Sequence, residues 1–361
     1  MNRRHRVATS LVSALAAAGL VLVGGPASSV DHAGTAPGGA GDQRAASAGQ
    51  PVRRDLVGDS DSVVAISIDG MSVAAVRQLG RKQLPNLYRF MRAGASTTNA
   101  RTEREMTVTL PNHTGMVTGR RIDAATGGHG VTWNDDRPTP ATVQAAAGHE
   151  VASVFSAVHD AGGSTALFAA KTKFSLWQRS WPDAIDRTVI DLDNASLVDQ
   201  FVGDLATERD FRFLHLSPPD AAGHAHGWMS KPYLRAVRQS DRLVGRVVKA
   251  INADPARRAG TTILLTSDHG GHGPSHDDPR LLDDYRIVFM ARGSAVDRGV
   301  DLYDINPAYR DPGKRRTTYA QSRQPVRNGV VANLALDLLD VPALEGSEHD
   351  VDQDLRLTAA P

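Results

Sequence analysis

From residue 61 onward, short apolar runs alternate with stretches in which apolar positions recur every three or four residues. Ser62–Ile68 (SVVAISI) is β-branched and almost continuously apolar, as a strand buried on both faces requires. The same pattern predicts strands at 164–170, 211–216, 261–267 (TTILLTS) and 286–291. Helical spacing falls between them: 85–95, with Leu87, Phe90 and Met91 on one face; 150–161, ended by Gly162-Gly163; 232–251; and 329–339, stopped by Pro342. Strands in alternation with helices predict an α/β fold with a mainly parallel central sheet and helices on both faces. No internal repeat and no second linker interrupts residues 61–347, so one catalytic domain is expected there, with 348–361 as a tail.

The first 60 residues break this pattern. Residues 1–29 open with Arg3, Arg4 and Arg6, continue through a mostly apolar stretch, and end in small residues, with Ala27 and Ser29 fitting a small-x-small cleavage site. This predicts a signal peptide and a secreted chain; the arginine pair leaves both the general and the twin-arginine export routes open. Residues 30–60 are rich in Gly, Ala, Ser, Asp and Gln without apolar periodicity, which reads as a flexible linker. Once the leader is cleaved, no stable membrane anchor is expected.

Charge and cysteine content narrow the chemistry. Lysine plus arginine number 41 against 40 acidic residues, and the leader holds three of the positives and no acid. The remainder therefore has no bulk attraction to nucleic acid, and any anion must be held locally. There is no cysteine, which excludes disulfides, thiol nucleophiles, thiolate zinc sites and a lipidated cysteine anchor.

Carboxylates and imidazoles gather just past the apolar runs. Asp69 ends the first, Asp220 and His224 follow the run at 211–216, and Asp268, His269, His272 and His276 follow the run at 261–267. In a parallel sheet the C-terminal strand ends share one edge, where ligands bind, so these groups are expected to converge. Such a set without thiolates suits zinc, manganese or iron. Thr109, in Thr107-Val108-Thr109-Leu110-Pro111-Asn112-His113, reads as the N-cap of a helix with free N–H groups for a phosphoryl oxyanion. Lys171 and Lys173, after the run at 164–170, read as solvated lysines, with contact to phosphate as the alternative; His113 reads as a packing or capping residue, and Trp228 as either a stacking platform or a buried ring. His349, in the tail, is expected to carry no catalysis.

The Thr-Val-Thr-Leu-Pro-Asn-His segment, Val-Thr-Gly at 117–119 and His129-Gly130-Val131-Thr132-Trp133-Asn134 resemble the nucleophile segment of the type I phosphodiesterase/nucleotide pyrophosphatase family, within the alkaline phosphatase superfamily. The Ile-Asp-Gly, Pro-Asp-x-x-Gly-His and Ser-Asp-His-Gly segments are similar to that family's in the same order, and the likeness runs from residue 61 to about 347. It implies two divalent ions, zinc first and manganese as the alternative. Asp69, Thr109, Asp268 and His269 would hold one; Asp220, His224 and a third histidine would hold the other. It also implies Thr109 as nucleophile, a phosphothreonine intermediate, and Asn134 with the Leu110 N–H on a phosphoryl oxygen.

The chain departs from the family pattern in three places. His276 follows His269 by only seven residues, and is assigned as the third histidine ahead of His272. Leu110 stands where many nucleotide-cleaving members carry an aromatic residue, which argues against a nucleotide substrate. The stretch 120–128 is long, so Asn134 rests on the His-Gly-x-x-x-Asn match. The expected function is hydrolysis of phosphodiester or related phosphoryl bonds in a small phosphorylated substrate. The alternatives are a phosphomonoesterase or phosphonate hydrolase on the same scaffold, and a non-catalytic phosphate- or metal-binding protein. Because Asn134 is neutral and no arginine adjoins Thr109 in the helix, diesters are expected to be preferred to monoesters.

Overall fold

The apolar run Ser62–Ile68 becomes strand β1, and its alternation feeds two cores at once. Val64, Ile66 and Ile68 pack into one, Val63 and Ala65 into the other. Residues 60–359 are described by the computed structural model; the predicted signal peptide, and the predicted linker up to residue 59, lie outside the described residues. The remaining strands are β2 (Ala95–Arg101), β3 (Thr165–Ala169), β4 (Arg187–Ile190), β5 (Phe211–Leu216), β6 (Thr261–Thr266), β7 (Arg286–Arg292) and β8 (Val300–Asp301). They form one eight-stranded sheet in the order β4-β3-β5-β1-β6-β7-β2-β8. Neighbours from β4 to β6 are parallel, while β7 runs antiparallel to both β6 and β2. The expected mainly parallel α/β sheet is present.

Helices cover both faces. Val73–Gln83, Pro85–Arg92, Asn194–Asp204 and Lys231–Asn252 bury their apolar stripes in the core that holds Val64 and Ile66. Thr109–Thr118, Val154–Asp160 and Val331–Leu338 pack in the core that holds Val63 and Ala65. Caps set their starts: Ser230 accepts from the Tyr233 N–H, and Ser153 forms a reciprocal capping box with Ser156. The helix expected at 150–161 therefore begins later, at Val154. That expected at 85–95 ends at Arg92, and Ala95 already opens β2. Gly94 makes this turn possible, because a Cβ there would lie 1.9 Å from the Ala291 carbonyl oxygen on β7. Polar β2, four-residue β4 and two-residue β8 lack the apolar runs that betray buried strands.

Residues 348–359 pack on the sheet's flank. The Glu348 N–H donates to the Gly119 carbonyl, Leu355 and Leu357 are buried, and His349 lies 2.9 Å from the buried Glu103 carboxylate. No helix among the described residues is long and apolar enough to cross a membrane.

Candidate active site

Three adjacent parallel strands, β5, β1 and β6, deliver the acidic groups from their C-terminal ends, at the edge where such sheets bind ligands. Asp69 follows β1, Asp268 follows β6, and Asp220 sits in the first turn of the helix Pro218–His226. Gly70 lets the three loops touch. Its φ is +67°, a Cβ there would lie 2.9 Å from the Asp220 Cα, and its N–H donates to Asp268 Oδ1 at 3.0 Å. Trp228 locks the same junction from below: its ring is buried and its Nε1–H donates to the Gly70 carbonyl at 3.0 Å. Of the two readings of Trp228, the buried one holds.

All the expected donors meet here. His269 Nε2 lies 3.1 Å from Asp268 Oδ2, 3.5 Å from Asp69 Oδ1 and 3.9 Å from Asp220 Oδ1. His276 Nε2 is 3.9 Å from Asp220 Oδ1 and 3.1 Å from His224 Nε2, which is itself 3.4 Å from Asp220 Oδ1. His224 comes from the last turn of the helix Pro218–His226, where the i,i+4 spacing puts it on the same face as Asp220. His272 faces away, with Nδ1 2.7 Å from Asp284.

Three buried oxygens, Asp69 Oδ1, Asp220 Oδ1 and Asp268 Oδ2, have no hydrogen-bond partner. Leaving such groups bare is costly, and their convergence with imidazole nitrogens is what divalent-cation binding demands. Two overlapping donor groups result, Asp69/Asp268/His269 and Asp220/His269/His276, each compact enough for one ion. The donor chemistry fits.

The opposite oxygens of two of these carboxylates are fully engaged. Lys171 Nζ lies 2.6 Å from both Asp69 Oδ2 and Asp220 Oδ2, and His215 Nε2 is 2.8 Å from Asp69 Oδ2. The Ala170 N–H donates to His215 Nδ1, so the proton of the neutral ring sits on Nε2 and is donated to Asp69. Burial works to raise the Asp69 carboxyl, but Lys171 and His215 hold it well below the usual range. Asp220, against burial and the Asp69 charge, is brought to about 2 by His224 and Lys171. Burial opposes the charged form of His269 also, yet the carboxylates of Asp268, Asp69 and Asp220 raise it to about 9.

Lys171 was expected to be solvated; it is instead the cation that ties two acids together. The sequence signal for His215 was available, since a histidine interrupts the apolar face Phe211-Phe213 of β5. Nothing comparable marked Lys171.

Thr109 opens the wholly buried helix Thr109–Thr118 as its first residue, with Val108 and not Thr109 at the N-cap. Its hydroxyl is thereby spared from capping and lies 3.4 Å from His269 Nε2. Asn112 holds the approach to the helix: Oδ1 accepts from the Glu103 N–H and Nδ2 donates to the Met106 carbonyl. His113 is a packing residue as expected, bridging the Thr109 carbonyl and Ser67 Oγ. Asn134 reaches the helix start, its Oδ1 accepting from the Leu110 N–H at 3.0 Å. That same oxygen accepts from Lys173 Nζ at 2.8 Å, which corrects the second solvated-lysine expectation. A bond from Thr172 Oγ1 to Asp136 Oδ2 joins the loop of the lysines to that of Asn134.

Residues 63–343 match the family described as type I phosphodiesterase/nucleotide pyrophosphatase. The chain belongs to this family. Membership makes it a phosphoryl-bond hydrolase with an alkaline phosphatase-like fold. Among solved structures it is similar to murine ectonucleotide pyrophosphatase/phosphodiesterase 5, an inactive threonine-to-alanine variant in complex with AMP. Identity there is 13%, TM-score 0.59, with 78% of this chain and 96% of that one covered. The human counterpart aligns at 14% identity and TM-score 0.54, covering 83% and 96%. At such identities the likeness speaks for the fold, and the family's phosphodiesterase scaffold is thus seen twice, by sequence and by shape.

Proposed function

We propose that this family member is a secreted, metal-dependent hydrolase that cleaves phosphodiester or related phosphoryl bonds of small substrates through a covalent phosphothreonine at Thr109. The observation that carries the reading is the placement of a buried threonine hydroxyl, not used in capping, beside His269 and three carboxylate oxygens without a hydrogen-bond partner. Asp69, Thr109, Asp268 and His269 would hold one divalent ion and Asp220, His224 and His276 another, zinc or manganese. When bound, such ions act as Lewis acids that stabilise phosphoryl charge and lower the pKa of a coordinated hydroxyl or water.

The residues of the chain then divide the work. Thr109 Oγ forms the new bond to phosphorus as the leaving-group oxygen departs with the bonding pair and takes up a proton. Water subsequently cleaves the Thr109–phosphorus bond, restoring the hydroxyl and releasing the phosphoryl product. The Leu110 N–H, at the positive end of a helix, and Asn134 orient a non-bridging oxygen during both displacements. His215 and Lys171 keep Asp69 and Asp220 ionised and aimed. The AMP held by the murine neighbour supports a small phosphorylated substrate; Leu110 offers no ring on which a base would stack.

The test combines metal analysis of the purified protein, mass spectrometry of acid-quenched reactions for phosphothreonine at residue 109, and turnover of phosphodiester, phosphomonoester, phosphonate and sulfate esters. Metal-loaded protein that forms no phosphothreonine and turns over no ester would favour the non-catalytic binding reading. Intact mass of exported protein beginning near residue 30 would support secretion, and a retained Met1 would remove it.

A further inference from the structure

Basic and acidic residues are almost equal in number along the chain, yet one loop outside the metal-donor set concentrates positive charge. Between the helix Leu302–Ile305 and the short helical turn at Asn328, residues 306–327 form neither strand nor helix. Loops of that length inside a compact domain are uncommon, and an ordered one usually carries a function. Residues 310–323 of this loop hold five basic side chains and one acid. Its backbone is held from below. Buried Arg101 donates to the Gly313 carbonyl at 2.8 Å, buried Arg327 to that of Thr317 at 3.1 Å, and the Tyr285 hydroxyl to that of Lys314 at 3.0 Å.

With its carbonyls fixed in this way, the loop exposes Arg310, Arg315 and Arg323 and half-buries Arg316. These four line one cavity of about 290 Å³, and no acid among the described residues lines it. Asp311, the single acid of residues 310–323, is taken up by the Asn99 amide and the Gly313 N–H. The Arg310 and Arg315 guanidiniums have no partner among the described residues. Arg316 and Arg323 donate only to the carbonyls of Arg104 and Pro307, and the buried Arg316 Nε has no acceptor. Burial and the neighbouring Arg104 hold the Arg316 guanidinium below its ordinary value, the cost of crowding like charges without an anion between them.

We infer that this arginine-lined cavity is a second anion site, which takes a compact multivalent oxyanion of the phosphate or sulfate class. Planar guanidinium forks meet such oxyanions with paired, charge-assisted hydrogen bonds, and several forks around one volume favour a ligand with more than one charge. The volume lies at the small end of the roughly 300–1,000 Å³ of small-molecule sites, which suits a compact anion. The site goes beyond the proposed function and does not depend on Thr109. Two sources can supply the anion. Arg101, which holds the loop, ends β2, and β2 lies two strand spacings, about 10 Å, from β6. Both strands end at the same edge of the sheet, so a second phosphate on the substrate is one source and a free anion is the other.

The test is calorimetric binding of benzene-1,3,5-trisulfonate, a compact trianion with no hydrolysable ester, to the metal-loaded wild type, R310Q/R315Q and R258Q. Arg258 is an exposed arginine on the helix Pro255–Gly260, ahead of β6 at the other edge of the sheet. One trisulfonate per chain is expected, with Kd raised at least about tenfold in R310Q/R315Q and unchanged in R258Q. Because neither replaced arginine has a partner to lose, the double variant should melt as wild type does. Absent binding, an unchanged Kd in the double variant, or an equal loss in R258Q would overturn the inference. The source is read from KM for a phosphodiester bearing a second, remote phosphate, set against bis-p-nitrophenyl phosphate. A rise in R310Q/R315Q confined to the former supports the site as part of substrate binding; equal KM values with weakened trisulfonate support it as the site of a separate anion. If wild type hydrolyses neither ester, the Thr109 reading falls, and trisulfonate binding still decides the cavity.

Discussion

The two halves of the active site are built on opposite principles. The metal-donor half comes from the ends of three central strands, is almost wholly buried, and sets each acid against a specific partner. The proposed phosphoryl half, Leu110, Asn134 and Lys173, comes from a helix start and two loops, is partly open, and holds a cation with no carboxylate in ion-pair distance among the described residues. In the first half charge is set against charge, Lys171 between Asp69 and Asp220, whereas in the second Lys173 meets the neutral Asn134. Under the proposed function, the bond-breaking chemistry belongs to the rigid half and the contacts to the phosphoryl oxygens belong to the other.

The largest effect should come from the atom where the halves meet. Thr109→Ala is expected to abolish covalent phosphoprotein and lower kcat/KM by about a thousandfold or more, as loss of a nucleophile does. Metal content should persist, since the carboxylates and His269 remain. Retained turnover with unlabelled Thr109 would separate the halves and place the nucleophile elsewhere.

Within the donor half, His276→Ala should lower metal content and remove most turnover, and His272→Ala should be mild, because His272 is turned to Asp284. Elemental analysis beside steady-state rates distinguishes them. The reverse ranking would move the ligand to His272.

Lys171→Met tests whether charge pairing shapes this half before any ion arrives. Removing the ammonium leaves two buried carboxylate oxygens short of a partner, a change that costs about 3–5 kcal/mol in other buried pairs. The loss should be seen in the denaturant midpoint of chelator-treated protein. An unaltered midpoint would mean that Lys171 contributes nothing to the metal-free fold.

The smallest expected effect uses a buried acid that has no such cation. Asp350 is buried with Tyr309 and the N–H groups of Asp354 and Leu355 as its donors, and burial pushes its carboxyl up to about 7. Between about pH 4 and 7 the unfolded chain ionises this group while the folded chain keeps its proton, so stability falls as pH rises across that window. Asp350→Asn keeps the accepting oxygen and tolerates the local φ of 54°. It should stabilise the protein by about 1–3 kcal/mol at pH 8, by nothing near pH 4, and flatten the slope between. A variant melting like wild type at pH 8 would show that hydrogen bonds alone suffice for a buried acid here.

The sequence by itself determined the rigid half. Buried parallel strands need unbroken apolar runs, so β1, β5 and β6 were legible, and the acids and histidines directly after them could be placed on one edge. Thr109 was marked as a helix start by its own segment, and its role as nucleophile and that of Asn134 were implied by the family resemblance. What only the tertiary structure decided was the pairing of charges across distant segments. Lys171 and Lys173 sit two residues apart on the chain and carry the same side chain. One is enclosed by Asp69 and Asp220, which lie 102 and 49 residues away, and the other faces a neutral amide. Local pattern records whether a residue is apolar and at what period it recurs; it carries no record of which carboxylate folding will bring within 3 Å of an ammonium.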